Sequence, residues 1–134
     1  MKYFYTALLR PMLDGTGYYA EIPDLPGCVT SGKDFHDAVS QITDAANGWL
    51  VVAEDEGLPI PVPTPQRELN TNADSLLTII ESDTIRYRAE TDTRAVRKNV
   101  SLPAWMILLA DKLNINCSKV LQEGLLSIFN EHIF

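Results

Sequence analysis

Residues Val96 to Pro103 (VRKNVSLP) alternate and then stop at a proline, and that stretch limits what the chain can be. In an extended strand, Arg97, Asn99 and Ser101 fall on one face, all polar and all able to hydrogen-bond. Val96, Val100 and Leu102 fall on the other, with Lys98 as its single polar interruption. The segment runs straight into two short apolar helices, so it cannot complete a sheet by itself. It needs a second copy. The paired ribbon then has the width and the chemistry to enter a DNA major groove.

The residues that follow fit a ribbon-helix-helix module over residues 95–134. Pro103 suits the first helical position, where its missing N–H costs nothing. From Ala104 to Ala110 every residue is apolar, so this helix must be covered by more than one neighbour. Asn116, after the break at Leu113-Asn114-Ile115, is a good N-cap for the second helix. Val120, Leu121, Gly124, Leu125, Ile128 and Phe129 then recur at helical spacing. Gly124 in mid-helix costs about 1 kcal/mol relative to Ala, which a close helix crossing would justify. A module of about forty residues is too small for a private core, so obligate dimerisation is expected. Arg97, Asn99 and Ser101, presented twice over, are the expected base contacts. The N–H groups of Asn116, Cys117 and Ser118 are the expected phosphate site, with Lys98 and Lys119 adding charge. The plainer alternative is an edge strand of an ordinary α+β domain, with Arg97 and Lys98 simply solvated.

Charge divides the chain unevenly. Eighteen acids against eleven bases leave a net −7, which makes a poor non-specific binder of polyanions. Residues 1–65 carry −6, residues 66–94 carry −2 and residues 95–134 carry +1. The expected DNA reader is the least acidic part, and the front should repel nucleic acid and suit a basic protein. The apolar run from Lys2 to Arg10 is too short for a signal peptide, and no segment reaches the length of a membrane span. Cys28 and Cys117 lie far apart, so free thiols in a reducing cytoplasm are expected, with no disulfide framework or cysteine metal site.

The front has its own grammar. Tyr3 to Leu9 is apolar on both faces, which suits a central strand. Asp14 to Gly17 is a turn, and Tyr18 to Ile22 a strand pairing back on the first. Pro26 and Gly27 suit the two central positions of a type II turn, before a short strand at Cys28 to Thr30. Asp34 can cap a helix running to Glu56, ended by Gly57, with Phe35, Ala38, Val39, Ile42, Ala45, Ala46, Trp49, Leu50 and Ala53 on its buried face. Pro59, Pro61, Pro63 and Pro65 mark a stiff connector. Leu76 to Glu81 reads as a fourth strand, Ser82 to Ala89 as a short helix, and Glu90 to Ala95 as a linker.

These residues carry a resemblance. Tyr18 to Cys28 (YYAEIPDLPGC), Thr30-Ser31-Gly32, the long helix and the Pro-rich exit are similar to the N-terminal domain of HicB-type antitoxins. Arg97 to Leu125 resembles the ribbon-helix-helix at the C-terminus of one branch of that family. The resemblance covers nearly the whole chain and is weakest from Gln66 to Ser75. It implies an α+β chain with a partial, degenerate RNase H-like domain over residues 1–94. It further implies neutralisation of a small, basic, mRNA-cleaving HicA-like toxin and autorepression of the operon through the tail, in the cytoplasm, as a homodimer with assembly beyond the dimer left open.

No enzyme is expected. A working RNase H site gathers carboxylates around divalent metal, one of them on the first strand. Tyr3 to Arg10 contains no acid, and the second strand offers only Glu21. Neither His36 nor His132 is visibly paired with a nucleophile. No cofactor or metal is expected. The candidate partner contacts are Glu21, Asp24 and Leu25 beside the Pro-Gly turn, and Glu54, Asp55 and Glu56. The last three face the negative end of the helix dipole, an unfavourable placement that a basic partner would offset; three solvated charges at a frayed end is the competing reading. A solitary dimeric regulator with a different front-end ligand remains the alternative function.

Overall fold

The computed structural model describes residues 1–69 and 72–132, and it divides into two units, Met1–Thr93 and Arg94–Phe134. Asn70 and Thr71, within the weakest stretch of the resemblance, lie outside the described residues.

The first unit is built on β1 (Lys2–Pro11). It pairs antiparallel with β2 (Tyr18–Glu21) on one side and with β4 (Leu76–Asp83) on the other. Adding β3 (Val29–Gly32) gives the order β3-β2-β1-β4. As its two-faced apolar sequence requires, β1 is central, and Tyr5 to Leu9 are all buried. Tyr5, Ala7, Leu9, Ala20, Ile22 and Ile80 form the core with α1 (Phe35–Glu56). The opposite face of the sheet carries Phe4, Leu8, Tyr19, Val29, Leu77 and Ile79; Leu8 at its centre is buried, while the others are 38–63% exposed.

Helix α1 begins and ends where its sequence says. Asp34 Oδ1 accepts the Asp37 N–H at 2.8 Å, and Gly57 closes the helix with φ +68°. Ala38, Ile42, Ala46, Leu50 and Ala53 make the fully buried stripe, with Phe35, Val39, Ala45 and Trp49 half-buried beside it. The alanines let the helix lie close to the sheet, and Ile42 and Leu50 fill the space between. Leu50→Ala would cost about 2–5 kcal/mol.

Several boundaries differ from the sequence reading. The Cys28 N–H is taken by Leu25 O at 3.0 Å, closing the type II turn around Gly27 (φ +80°). Pairing with β2 therefore starts at Val29, and β3 continues to Gly32, opposite Tyr18. Gly32 is obligatory: a Cβ there would lie 2.2 Å from the Ala38 nitrogen. β4 runs through Ser82 to Asp83 because Ser82 faces Tyr3 across the ladder and its hydroxyl donates to Asn47 Oδ1. The following helix, α2 (Thr84–Thr91), starts later than expected, capped by Asp83 accepting the Arg86 N–H, and absorbs Glu90 and Thr91 from the expected linker.

The second unit contains α3 (Ala104–Lys112) and α4 (Cys117–His132). Pro103 is the N-cap residue of α3 and not its first helical residue; at ψ 143° its backbone is extended, and its carbonyl accepts the N–H groups of Met106 and Ile107. Asn114 turns the chain with φ +52°, a conformation asparagine tolerates. Asn116 Oδ1 then caps α4 by accepting the Lys119 N–H at 3.1 Å. Residues 92–103 carry no regular element in the single chain. A strand is defined by its ladder, and residues 96–102 have no partner strand among the described residues of one copy.

Candidate functional site

The acids at the end of α1 are met from within the chain. Arg88, on α2, donates to Asp55 at 2.8 Å, to Glu54 at 3.2 Å and to Val51 O at 3.4 Å. Its hydrogen bonds to Asp55 and then Glu54 raise its pKa further above an already high value. Glu54 also accepts the Tyr3 hydroxyl at 2.9 Å and the Thr84 hydroxyl at 3.1 Å. Burial, and after it Glu54, push the Tyr3 phenol up. Glu54 thus ties β1, α1 and α2 together, and the cation that offsets the helix dipole is an internal arginine.

The turn residues serve the fold in the same way. Leu25 was expected as a partner contact; its side chain is 1% exposed and belongs to the core. Asp24 accepts the Thr64 N–H at 2.9 Å and the Thr64 hydroxyl at 2.5 Å, which commits both of its oxygens to the Pro-rich strap. The Tyr5 hydroxyl donates to Pro61 O at 2.6 Å, Ile60 packs on the core, and Trp49 Nε1 donates to Pro26 O at 2.9 Å. Glu21 pairs with Arg10 at 3.0 Å on the open face of the sheet, an exposed pair worth about 0–1 kcal/mol. Of the six candidates only Leu25 is buried; Asp55 and Glu56 are exposed, and Glu21, Asp24 and Glu54 are partly exposed. Arg88 was missed because it sits more than thirty residues from its partners; the only signal was a basic residue on a polar helix after an acidic one.

In the second unit, Arg97, Lys98, Asn99 and Ser101 are exposed, as are Asn116, Cys117, Ser118 and Lys119. The Lys119 N–H is used by the Asn116 cap, so the outward N–H groups at the start of α4 are those of Cys117 and Ser118. Beside them lies an apolar concavity of about 440 Å³, lined by Val100, Leu102, Trp105, Leu109, Leu113 and Leu121 among others. No residue of α3 or α4 is buried. Among the described residues, no three His, Cys, Asp or Glu side chains come together as a metal site, and no helix is long and apolar enough to cross a membrane.

The first unit is a capped helix over a four-stranded antiparallel sheet, and the second contains two apolar helices. Residues 5–123 match the family described as HicB-like antitoxin of bacterial toxin–antitoxin systems, and the chain belongs to that family. Over 59 residues it is 41% identical to the UPF0150 protein ssr1765 of Synechocystis sp., covering 44% of this chain and 73% of that protein. Its fold is similar to the toxin–antitoxin complex from Streptococcus pneumoniae, with a TM-score of 0.61 at 18% identity, covering 95% of this chain and 99% of that chain. It is also similar to the antitoxin HicB of Burkholderia pseudomallei, with a TM-score of 0.54 at 20% identity, covering 92% and 96% of the two chains.

Proposed function

We propose that this antitoxin has two separable tasks. Residues 1–94, a partial RNase H-like domain without catalytic function, bind and neutralise a small basic HicA-like toxin that cleaves mRNA. Residues 95–134 pair with a second copy as a ribbon-helix-helix, bind operator DNA and repress the operon, in the cytoplasm where both targets are found.

The observation that carries this reading is the complete absence of buried residues from α3 and α4. Trp105, Leu108 and Leu113 are at least 60% exposed in the single chain. Apolar helices this open are stable only when covered, and a second copy supplies the cover. The same partner supplies the missing ladder for residues 96–102, with Arg97, Asn99 and Ser101 on the outer face. Charge supports the division of labour: residues 1–93 hold fifteen acids and six bases, residues 94–134 three acids and five bases. The related Streptococcus pneumoniae structure is a complex of toxin and antitoxin, which supports a toxin as the partner of the acidic unit.

A growth-rescue assay tests the proposal. The small basic reading frame beside the gene is induced alone, with the full chain, and with residues 1–94. Arrest relieved by both constructs supports neutralisation by the front unit. Relief by the full chain alone assigns part of the task to the tail. A harmless neighbour overturns the antitoxin role and favours a solitary regulator.

A further inference from the structure

The concavity beside α3 and α4 is lined by Lys98, Val100 and Leu102, and not by Arg97, Asn99 or Ser101. The alternation of the sequence is therefore present in the single chain: one set of side chains borders the helices and the other does not. Among the described residues that line the concavity, Lys98 alone is charged, and the lining offers it no carboxylate. A lysine on a surface that a second copy covers opposes the covering. At the seam of a coiled coil, a single polar residue of this kind weakens the pair and fixes its alignment.

We infer that Lys98 sets the alignment of the paired ribbon by holding its two-fold axis at Asn99, a reading that rests on the pairing proposed for residues 95–134. In an antiparallel pair, residues of like face oppose one another only when the axis passes through a residue position. Centred on Asn99, Lys98 faces the partner's Val100, Val96 faces the partner's Leu102 and Arg97 faces the partner's Ser101. No like charges then oppose, and the whole of 96–102 pairs. Centred on Lys98, two ammonium groups stand opposite each other over an apolar floor, with their Cβ atoms about 5 Å apart. A centre on Arg97 opposes two guanidinium groups in the same way. Centred on Val100, Arg97 falls opposite the partner's Pro103, which has no N–H to give to a ladder, and only 98–102 remain paired.

With leucine in place of Lys98, the alignment centred on residue 98 would be apolar on its inner face from 96 to 100. The lysine charge is what separates it from the alignment on Asn99. The outward face then has a fixed order. Two Asn99 side chains lie at the centre, each Arg97 lies beside the partner's Ser101, and the two Arg97 are four positions apart, about 13 Å along the ribbon. Lys98 is a positioning residue: it decides which outward side chains are neighbours.

The test is disulfide cross-linking of the full chain in a glutathione buffer, with Cys117→Ser removing the exposed thiol and Cys28 left buried. Arg97→Cys, Asn99→Cys and Ser101→Cys change only the outward face. They are mixed in pairs, and the cross-linked products are identified by mass. Arg97→Cys with Ser101→Cys should cross-link about tenfold faster than either other mixture, whose Cβ atoms would be offset to about 7 Å. Adding Lys98→Leu should bring the product of Arg97→Cys with Asn99→Cys to a comparable rate. Predominance of another mixture while Lys98 is present, or a pattern that Lys98→Leu leaves unchanged, overturns the inference. An unchanged pattern with weakened operator binding would assign the lysine to a phosphate. Light scattering of the wild type keeps two failures apart. A single-chain mass removes the pairing and the inference with it, whereas a dimer with a different pattern removes the alignment alone.

Discussion

Asp24 and Thr64, forty residues apart, are joined by two hydrogen bonds that use both oxygens of one carboxylate. The Pro-rich connector is therefore a strap laid onto the first unit and held there, with the Tyr5 hydroxyl on Pro61 O as a second attachment. A stiff segment loses little entropy when it is fixed, so two anchors suffice.

Replacing Asp24 by Ala should cost about 1–3 kcal/mol of unfolding free energy, because the Thr64 N–H and hydroxyl lose a charged acceptor. Urea unfolding measures the cost. Hydrogen exchange should show Thr64 losing protection while the amides of α1 keep theirs. An unchanged midpoint would mean that water replaces the carboxylate without penalty.

Arg88→Ala should destabilise the first unit by about 1 kcal/mol. The side chain is 38% exposed, so screening keeps the loss small, but Glu54 is left partly buried without its cation. Arg88→Lys should recover only part of the loss, since one ammonium cannot reach Asp55, Glu54 and Val51 O in the arginine's geometry. The wild-type advantage should shrink in high salt. A salt-independent difference would assign the role of Arg88 to packing.

Alkaline pH should weaken the first unit through its tyrosines. Burial, and then the Asp24 charge, raise Tyr5, while burial and then Glu54 raise Tyr3. Their unfolded forms lose the phenolic proton first, so the stabilisation is fully present below the unfolded pKa of about 10 and is lost as pH rises through the folded values. Denaturant midpoints measured between roughly pH 9 and 11 should fall less steeply in Tyr5→Phe than in the wild type. Parallel slopes would exclude Tyr5 as a source.

Arg97→Ala or Asn99→Ala should each weaken operator binding by about 1–3 kcal/mol if they read base edges. Toxin neutralisation should be unaffected. A gel-shift titration beside the growth assay separates the two, and joint loss would show that the strand face supports folding instead.

What could be read from the sequence was local. Asp34, Gly57, Asn116 and the Pro26-Gly27 turn act over three or four residues, and each is found where the pattern placed it. The two-faced apolar character of Tyr3 to Leu9 was enough to make that strand central. Long-range partners were not legible. Arg88 reaches Glu54 and Asp55, Asp24 holds Thr64, and Ser82 binds Asn47, none at a spacing that periodicity records. That Leu25 lies in the core was not legible, because a loop leucine beside a Pro-Gly turn has the same sequence signature whether it points outward or inward. The fourth strand was drawn too short because Ser82 and Asp83 are poor strand formers that pairing with Tyr3 and Lys2 overrides.

The helices α3 and α4 fully bury no side chain on their own. A tail built this way, and folded only when paired, would make its order depend on abundance. Under the proposed pairing, mass action would hold two copies together when chains are plentiful, and the proposed reader of DNA would then exist. As they become scarce the pair would separate, and proteolysis would follow the population of the opened tail. Depletion would then accelerate itself, so that under the proposed repression a shortage of the chain would both free the operon and shorten the life of what remains.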